Sequence, residues 1–238
     1  MSKLVFDIET TAIPIDAFDE AQREYLLRDA ERLPDLAARE LRKAEIVQQC
    51  SLWPLTAQVL CIGMVNVESG RGQALFLADD CEVEPSPDKV EYVPCAEEAE
   101  LLSAFWDIAP KFDHIVTFNG RSFDVPFLYL RSALLAVPIT RKDWLGYRFQ
   151  TEPHCDLAEQ LTFYGVSGRE GAARRFNLDF YCKAFGLDSP KSHGVSGLDV
   201  RQLFAEGRHR DIADYCMRDV FATVELYKIW RDRLAGIK

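Results

Sequence analysis

The order of apolar patterns along the chain predicts an α/β or α+β fold around a mixed central sheet. Three observations carry that expectation. Strand-like runs come first, helical and strand-like patterns alternate through the middle, and the chain from residue 200 onward has helical spacing to its end. At 238 residues the chain is long enough to bury a core as one large domain spanning 1–238.

The elements follow in order. Residues 3–8, "KLVFDI", read as a buried strand. Residues 16–48 combine mixed charges with leucines at helical spacing and predict two helices broken near Pro34; within the domain, 11–56 is read as a helical insertion. A strand at 57–68, a turn at "SGRG" and a partner strand at 73–78 make a hairpin. Residues 80–94 are acidic and hold three prolines, which predicts a loop. A helix follows at 96–112, with acids in its first turn. Next come a short strand from 114 into a glycine turn at 120 and a helix at 122–136 with Pro126 in its opening turns. A helix at 156–165 takes Asp156 as its N-cap. Glycine-rich or polar loops are expected at 165–176 and 189–197, separated by a short helix ending at Gly186.

Composition narrows the function classes. With 48% hydrophobic and 28% charged residues the chain reads as soluble and globular. No apolar run approaches the about 18 residues of a membrane span, and nothing resembles a signal peptide, so no membrane partner and a cytoplasmic location are expected. Seven scattered cysteines with no C-x-x-C spacing predict neither a disulfide framework nor a zinc site. A net charge of −10 disfavours a protein that grips duplex nucleic acid along a broad basic surface. It leaves room for a small acidic pocket that takes one strand end with metal ions supplying positive charge.

Asp7 and Glu9 sit one residue apart at the end of the first strand, so they project from the same face, about 6–7 Å apart. Alone, such a pair is more often a solvated strand end than a metal site. Two further segments change that balance. Asp124 follows "NGRSF" at the opening of a helix, and Tyr215 and Asp219 stand at i and i+4 on one helix face. Close carboxylates cannot all stay ionised unaided, and oxygen-only sets suit Mg²⁺ or Mn²⁺. Two such ions about 4 Å apart can clamp the attacking and leaving oxygens of a phosphodiester.

In order along the chain, "D-I-E" (7–9), "N-G-R-S-F-D" (119–124) and "Y-C-M-R-D" (215–219) resemble the three motifs of the DEDD exonucleases, tyrosine branch. The histidine branch would need His at 214, where this chain has Asp214. The form of the second motif is similar to that of the proofreading exonuclease domain of family B DNA polymerases, and a stand-alone chain of this length resembles the bacterial predicted 3′–5′ exonucleases related to that domain. The resemblance extends from residue 3 to about 231, leaving 11–56 and 80–94 unmatched.

The resemblance implies a ribonuclease-H-like fold, with a mixed five-stranded sheet flanked by helices. It implies that Asp7 bridges two divalent cations, that Glu9 and Asp219 complete one site, and that Asp124 holds the other. Tyr215 would orient the attacking water. The implied activity is 3′–5′ removal of nucleoside 5′-monophosphates from single-stranded ends, with DNA expected before RNA. Thr10 and Asn119 would lie near the terminal nucleotide. Arg169, Arg174, Arg175, Lys183 and Lys191 form a basic concentration that could contact phosphate or stand as solvated loop charges. Phe123 is read as core packing, and His193 has no assigned partner. A phosphatase of the D-x-D-x-T kind is disfavoured by Glu9 and leaves Tyr215 and Asp219 without a role. A non-catalytic binding module is disfavoured by the presence of all four acids and the tyrosine.

Overall fold

The first strand runs further than its apolar run implied. In the computed structural model, which describes residues 2–78, 89–165, 173–188 and 199–237, β1 spans Lys3–Ala12 and carries Asp7 and Glu9 in its interior rather than at its end. The reason is its partner. β2 (Ala57–Asn66) pairs antiparallel with β1 over Leu4–Ala12, so the backbone beyond Ile8 is still laddered. The register slips between Glu9 and Thr10, where Cys61 and Val59 face them and Leu60 is the extra residue. This is a β-bulge in β2 beside the two acids.

β3 (Gly72–Leu77) completes the hairpin and β4 (Val90–Cys95) pairs with it in parallel. On the other side, β5 (His114–Thr117) lies parallel to β1, and β6 (His154–Asp156) parallel to β5. The sheet therefore has six strands in the order β4-β3-β2-β1-β5-β6, not the expected five. All of this strand but Cys95 lies in the stretch read as a loop. Pro94 and Glu91 suit an edge strand, where unpaired backbone groups face away from the sheet. Residues 80–88 of that loop fall outside the described residues, as do Arg169, Lys191 and His193.

Helices cover both faces. Leu4, Phe6 and Ile8 of β1 face one layer with Leu101, Phe105 and Trp106 of α3 (Glu98–Ile108) and Phe127 and Leu128 of α4 (Asp124–Leu134). Val5 faces the opposite layer, in a cluster with Ile212, Cys216, Met217 and Val220 of α8 (His209–Arg233). Strand alternation places Asp7 and Glu9 on that same face. The segment 11–56 contributes α1 (Glu20–Glu31) and α2 (Leu36–Gln49), capped by Asp19 and Asp35, with Pro34 between them.

Two helix expectations shorten. The stretch 156–165 keeps only α5 (Leu157–Gln160), because Phe163 and Tyr164 adopt left-handed backbone (φ 48° and 58°). After α6 (Leu178–Ala184), the C-terminal stretch breaks between α7 (Val200–Ala205) and α8 at Gly207, φ 71°. Among the described residues no helix is long and apolar enough to cross a membrane, and six cysteines are free and buried.

α8 packs unusually close to the sheet at one point. Gly63 faces Asp7 in the β1–β2 register, and a Cβ there would meet Cys216 Sγ at 2.9 Å and Val220 Cγ2 at 3.0 Å. Gly63→Ala is expected to push α8 outward at a cost of about 1–3 kcal/mol. Thermal unfolding checks it: an unchanged Tm would mean that Cys216 and Val220 move aside freely.

Candidate active site

β1, β5 and β6 run parallel, so their carboxyl ends open on one edge of the sheet, the usual crevice of such sheets. β5 pairs with β1 only over Lys3–Val5. Past Val5 the flank of β1 is uncovered, and the Ile8 N–H there donates to Asp124 Oδ1 at 3.1 Å. A single hydrogen bond thus ties the first residue of α4 to the strand carrying Asp7 and Glu9. From the sheet's other face α8 brings Tyr215, Cys216 and Asp219 over the same strand. The Cys216 thiol lies 3.4 Å from the Asp7 carbonyl, and ligand atoms of Asp7, Glu9 and Cys216 lie within 4.8 Å of one another.

The electrostatics follow from this crowding. Burial and the carboxylates of Asp124, Asp219 and Glu9 push the Asp7 pKa well above its ordinary value. Burial, Asp219 and Asp124 do the same to Glu9. Asp124, 2% exposed, is raised to about 7 by burial and by Asp156, against its own and Ile8's backbone N–H bonds. Burial, the nearby acids and a hydrogen bond to Asp219 keep the Tyr215 phenol protonated far above its usual range. Burial and the neighbouring Cys61 thiol likewise raise the Cys216 thiol well above its ordinary value, so the negative donors here are oxygens.

This donor set fits hard divalent cations such as Mg²⁺ or Mn²⁺: oxygen ligands whose mutual repulsion a cation relieves. It also predicts a pH dependence. The folded protein holds protons on these acids that the unfolded chain, with Asp near 3.9, releases. Without metal, stability must therefore fall as pH rises from about 4 through about 7, the window set by Asp124. In EDTA, Tm is expected to be lower at pH 8 than at pH 5.5, with Mg²⁺ restoring it at pH 8; a Tm that rises across this range would contradict the buried carboxylate cluster.

The turn joining β5 to α4 is braced from below. Asn119 adopts φ 74°, a left-handed conformation that asparagine tolerates. Gly120 approaches Thr117 so closely that a Cβ would lie 2.5 Å from Oγ1. The Asp156 carboxylate, 1% exposed at the end of β6, accepts the N–H groups of Asn119 (2.8 Å), Arg121 (2.9 Å) and Ala158 (3.0 Å). Beside it a chain of bonds is fixed by one acceptor. The Trp144 carbonyl can only accept from His154 Nδ1 (3.2 Å), so Nε2 accepts from the Thr117 hydroxyl (2.8 Å), and Thr117 Oγ1 accepts from the Gly120 N–H (3.1 Å). Burial and the Arg121 guanidinium lower the His154 pKa to about 3, so it stays neutral.

The structure thus draws Asp7, Glu9, Asp124, Tyr215 and Asp219 together. Asn119 borders a groove of about 730 Å³ that also touches Phe123, Phe176, Tyr215 and Asp219, and its side-chain oxygen meets Arg175 and Ser122. The Phe123 ring packs on Phe127 at 5.4 Å while lining that groove. Thr10 lies elsewhere: alternation puts it on the face of Ile8, and its hydroxyl donates to the Ser51 carbonyl at 2.7 Å. Lys183 pairs with Asp179 at 3.0 Å. Sequence reasoning saw Asp156 chiefly as a helix cap; its grip on the 119–121 backbone depends on Thr117 standing opposite it in the β5–β6 register.

Residues 88–232 match the model of a family described as predicted 3′–5′ exonucleases related to the exonuclease domain of PolB. The match covers well over half of the chain, with Asp124, Tyr215 and Asp219 inside it and Asp7 and Glu9 before it. A DNA polymerase 1 of Saccharolobus solfataricus is 31% identical over 54% of this chain and 15% of its own length. An uncharacterized protein of Methanocaldococcus jannaschii is 32% identical over 57% of this chain and 75% of its own length. This chain thus spans a small part of the polymerase and most of the uncharacterized relative. The solved family B DNA polymerase of Pyrobaculum calidifontis superposes with a TM-score of 0.56 at 19% identity, covering 97% of this chain and 24% of that one. That likeness concerns the fold, a ribonuclease-H-like mixed sheet between helical layers.

Proposed function

The chain belongs to the family of predicted 3′–5′ exonucleases related to the exonuclease domain of PolB, and from that premise we propose that it is a divalent-cation-dependent 3′–5′ exonuclease acting on single-stranded DNA ends. The observation that carries this reading is the convergence of Asp7, Glu9, Asp124 and Asp219, in which Asp124 and Asp219 raise the pKa values of both Asp7 and Glu9, beside a protonated Tyr215. DNA is favoured over RNA because the characterised relative, that of Saccharolobus solfataricus, is a DNA polymerase. A single-stranded end is favoured because a net charge of −10 suits a local pocket better than a duplex-wide surface.

Asp7, Glu9, Asp124 and Asp219 would hold two ions, Mg²⁺ or Mn²⁺. When bound, these supply charge neutralisation at the scissile phosphate and lower the pKa of water. The residues themselves do the positioning. The Ile8 N–H holds one Asp124 oxygen and so aims its carboxylate into the crevice. Tyr215 donates to Asp219 and keeps lone pairs free to accept from a water molecule, orienting it toward phosphorus. The water oxygen forms the new bond to phosphorus, the P–O3′ bond breaks, and a proton passes to the departing 3′ oxygen. A nucleoside 5′-monophosphate and a shortened strand with a 3′-hydroxyl result.

The test uses 5′-labelled single strands of equal sequence, one DNA and one RNA, with Mg²⁺, with Mn²⁺ and with EDTA. A ladder shortening from the 3′ end, faster on DNA and abolished by EDTA, is expected. Shortening of RNA alone would move the same site to an exoribonuclease, and no cleavage of either strand would reject the enzyme reading. Tyr215→Phe is expected to lower kcat about 10²-fold, the scale of a misplaced reactant. It should leave the Mg²⁺-induced rise in Tm intact; loss of that rise would make Tyr215 a support of the ion site instead.

A further inference from the structure

Next to the groove that holds Tyr215 and Asp219 lies a larger one, of about 880 Å³, and the two share Ser122 and Arg175. Its charge is opposite to that of the chain as a whole. Among the described residues, Arg121, Arg148, Arg174 and Arg175 line it against one acid, Glu159, in a protein of net charge −10. Arg121 is largely committed, with Nη2 on the carbonyl of His154 at 3.1 Å and Nε 3.3 Å from Glu159. Arg148 reaches Glu159 at 2.9 Å but is 57% exposed, and Arg174 stands exposed with its guanidinium 5.3 Å from the Phe176 ring centroid.

Aromatic rings cluster on residues adjacent in the chain to this lining. Tyr147 and Phe149, 66% and 54% exposed, flank Arg148 and meet edge-on at 5.5 Å; Phe149 meets Tyr164 at 5.0 Å. Tyr164 is held there by an accepted bond from Gln160 Nε2 (2.7 Å) and by the left-handed backbone at Phe163 and Tyr164, a conformation bulky residues rarely adopt. Exposed rings carry a penalty in water, and arginines gathered against the overall charge of the protein attract an anion. Single-stranded nucleic acid offers both partners at once, a phosphate backbone for the arginines and base faces for the rings.

We propose that this arginine-lined groove and its aromatic rim are the track along which the single-stranded DNA substrate approaches the carboxylate site. The terminal nucleotide sits in the smaller groove, the strand passes Ser122 and Arg175, and upstream phosphates lie against Arg148 and Arg174 with bases on Tyr147 and Phe149. The inference rests on the exonuclease reading and adds to it a requirement for strand length.

Binding of 5′-labelled dT3 and dT12 with uncleavable phosphorothioate linkages, in Mg²⁺, tests the track by fluorescence anisotropy. The wild-type protein is expected to bind dT12 at least tenfold tighter than dT3. Arg148→Ala/Arg174→Ala should weaken dT12 about tenfold, keep dT3 within twofold, and lower the salt slope of log Kd by about 1.4, two single-strand phosphates at about 0.7 each. Tyr147→Ala/Phe149→Ala should also weaken dT12 about tenfold. Arg148→Lys/Arg174→Lys should retain most of the affinity, which a folding defect would not allow. Equal binding of dT3 and dT12, or an unaltered dT12 affinity in the alanine variants, overturns the track. The same wild-type preparation is assayed for 3′ shortening of ordinary DNA: if shortening persists the exonuclease reading stands and only the track falls, and if no strand is shortened that reading falls with it.

Discussion

Replacing Asp7 by asparagine is expected to lower 3′-end hydrolysis by about 10³-fold and, in the same protein, to raise the Tm measured in EDTA. The two effects have one cause. Asp7 is desolvated and repelled by Asp124, Asp219 and Glu9, so its charge works against the metal-free fold. Asparagine is nearly isosteric, keeps the polar contacts and removes that charge. The activity loss follows because a cation held by fewer carboxylates gives up several kcal/mol of transition-state stabilisation, and each 1.36 kcal/mol is a factor of ten. Mg²⁺ should then stabilise the variant less than the wild type. Differential scanning calorimetry with and without Mg²⁺, paired with the ladder assay, reads all three quantities. A variant that is inactive but less stable in EDTA would show Asp7 to be a structural residue and remove it from the proposed site.

Arg131→Met is expected to be among the most destabilising single substitutions away from the acids. Arg131 and Glu98 form a bidentate pair, Nε to Oε1 at 2.9 Å and Nη2 to Oε2 at 2.5 Å, with side chains 9% and 7% exposed. Glu98 also accepts the Val59 N–H at 2.8 Å, and Arg131 donates to the Pro54 carbonyl at 3.1 Å. Val59 stands opposite Thr10 at the bulge beside Glu9, so this pair clamps α3 and α4 to the part of the sheet that carries the acids. Removing the guanidinium leaves a buried carboxylate without its countercharge, at a cost of about 3–5 kcal/mol. At about 2–4 °C per kcal/mol for a chain of this size, Tm should drop by about 10 °C. Arg131→Met combined with Glu98→Gln should recover part of the loss, because no uncompensated charge remains. A double variant no more stable than Arg131→Met alone would assign the loss to packing rather than charge.

What the sequence shows by itself is local. Alternation along 3–12 puts Asp7 and Glu9 on one face whatever the rest of the chain does. The i, i+4 spacing of Tyr215 and Asp219 puts them on one side of any helix that forms there. Asp156 as a cap and the helical breaks at Pro34 and Gly186 belong to the same class, since each depends on a few neighbouring residues. The order of apolar patterns likewise implied a mixed sheet between helices, and the three short motifs pointed to the exonuclease family before any fold was known.

The tertiary structure decided what depends on register and distant contact. β1 extends past its apolar run because β2 continues opposite it, and residues 90–95 become a strand because β3 offers an open edge. Thr10, adjacent to Glu9, turns to the Ser51 carbonyl, a partner 41 residues away. Gly63 marks where α8 can descend onto the sheet, a role its place in an apolar strand does not reveal. Asp156 grips the 119–121 backbone only because β6 aligns with β5, and Asp7 and Glu9 acquire raised pKa values only once three segments share one crevice. Hydrophobic patterning and capping act over a few residues, whereas charge–charge repulsion in a low-dielectric site acts through space between groups the chain keeps far apart.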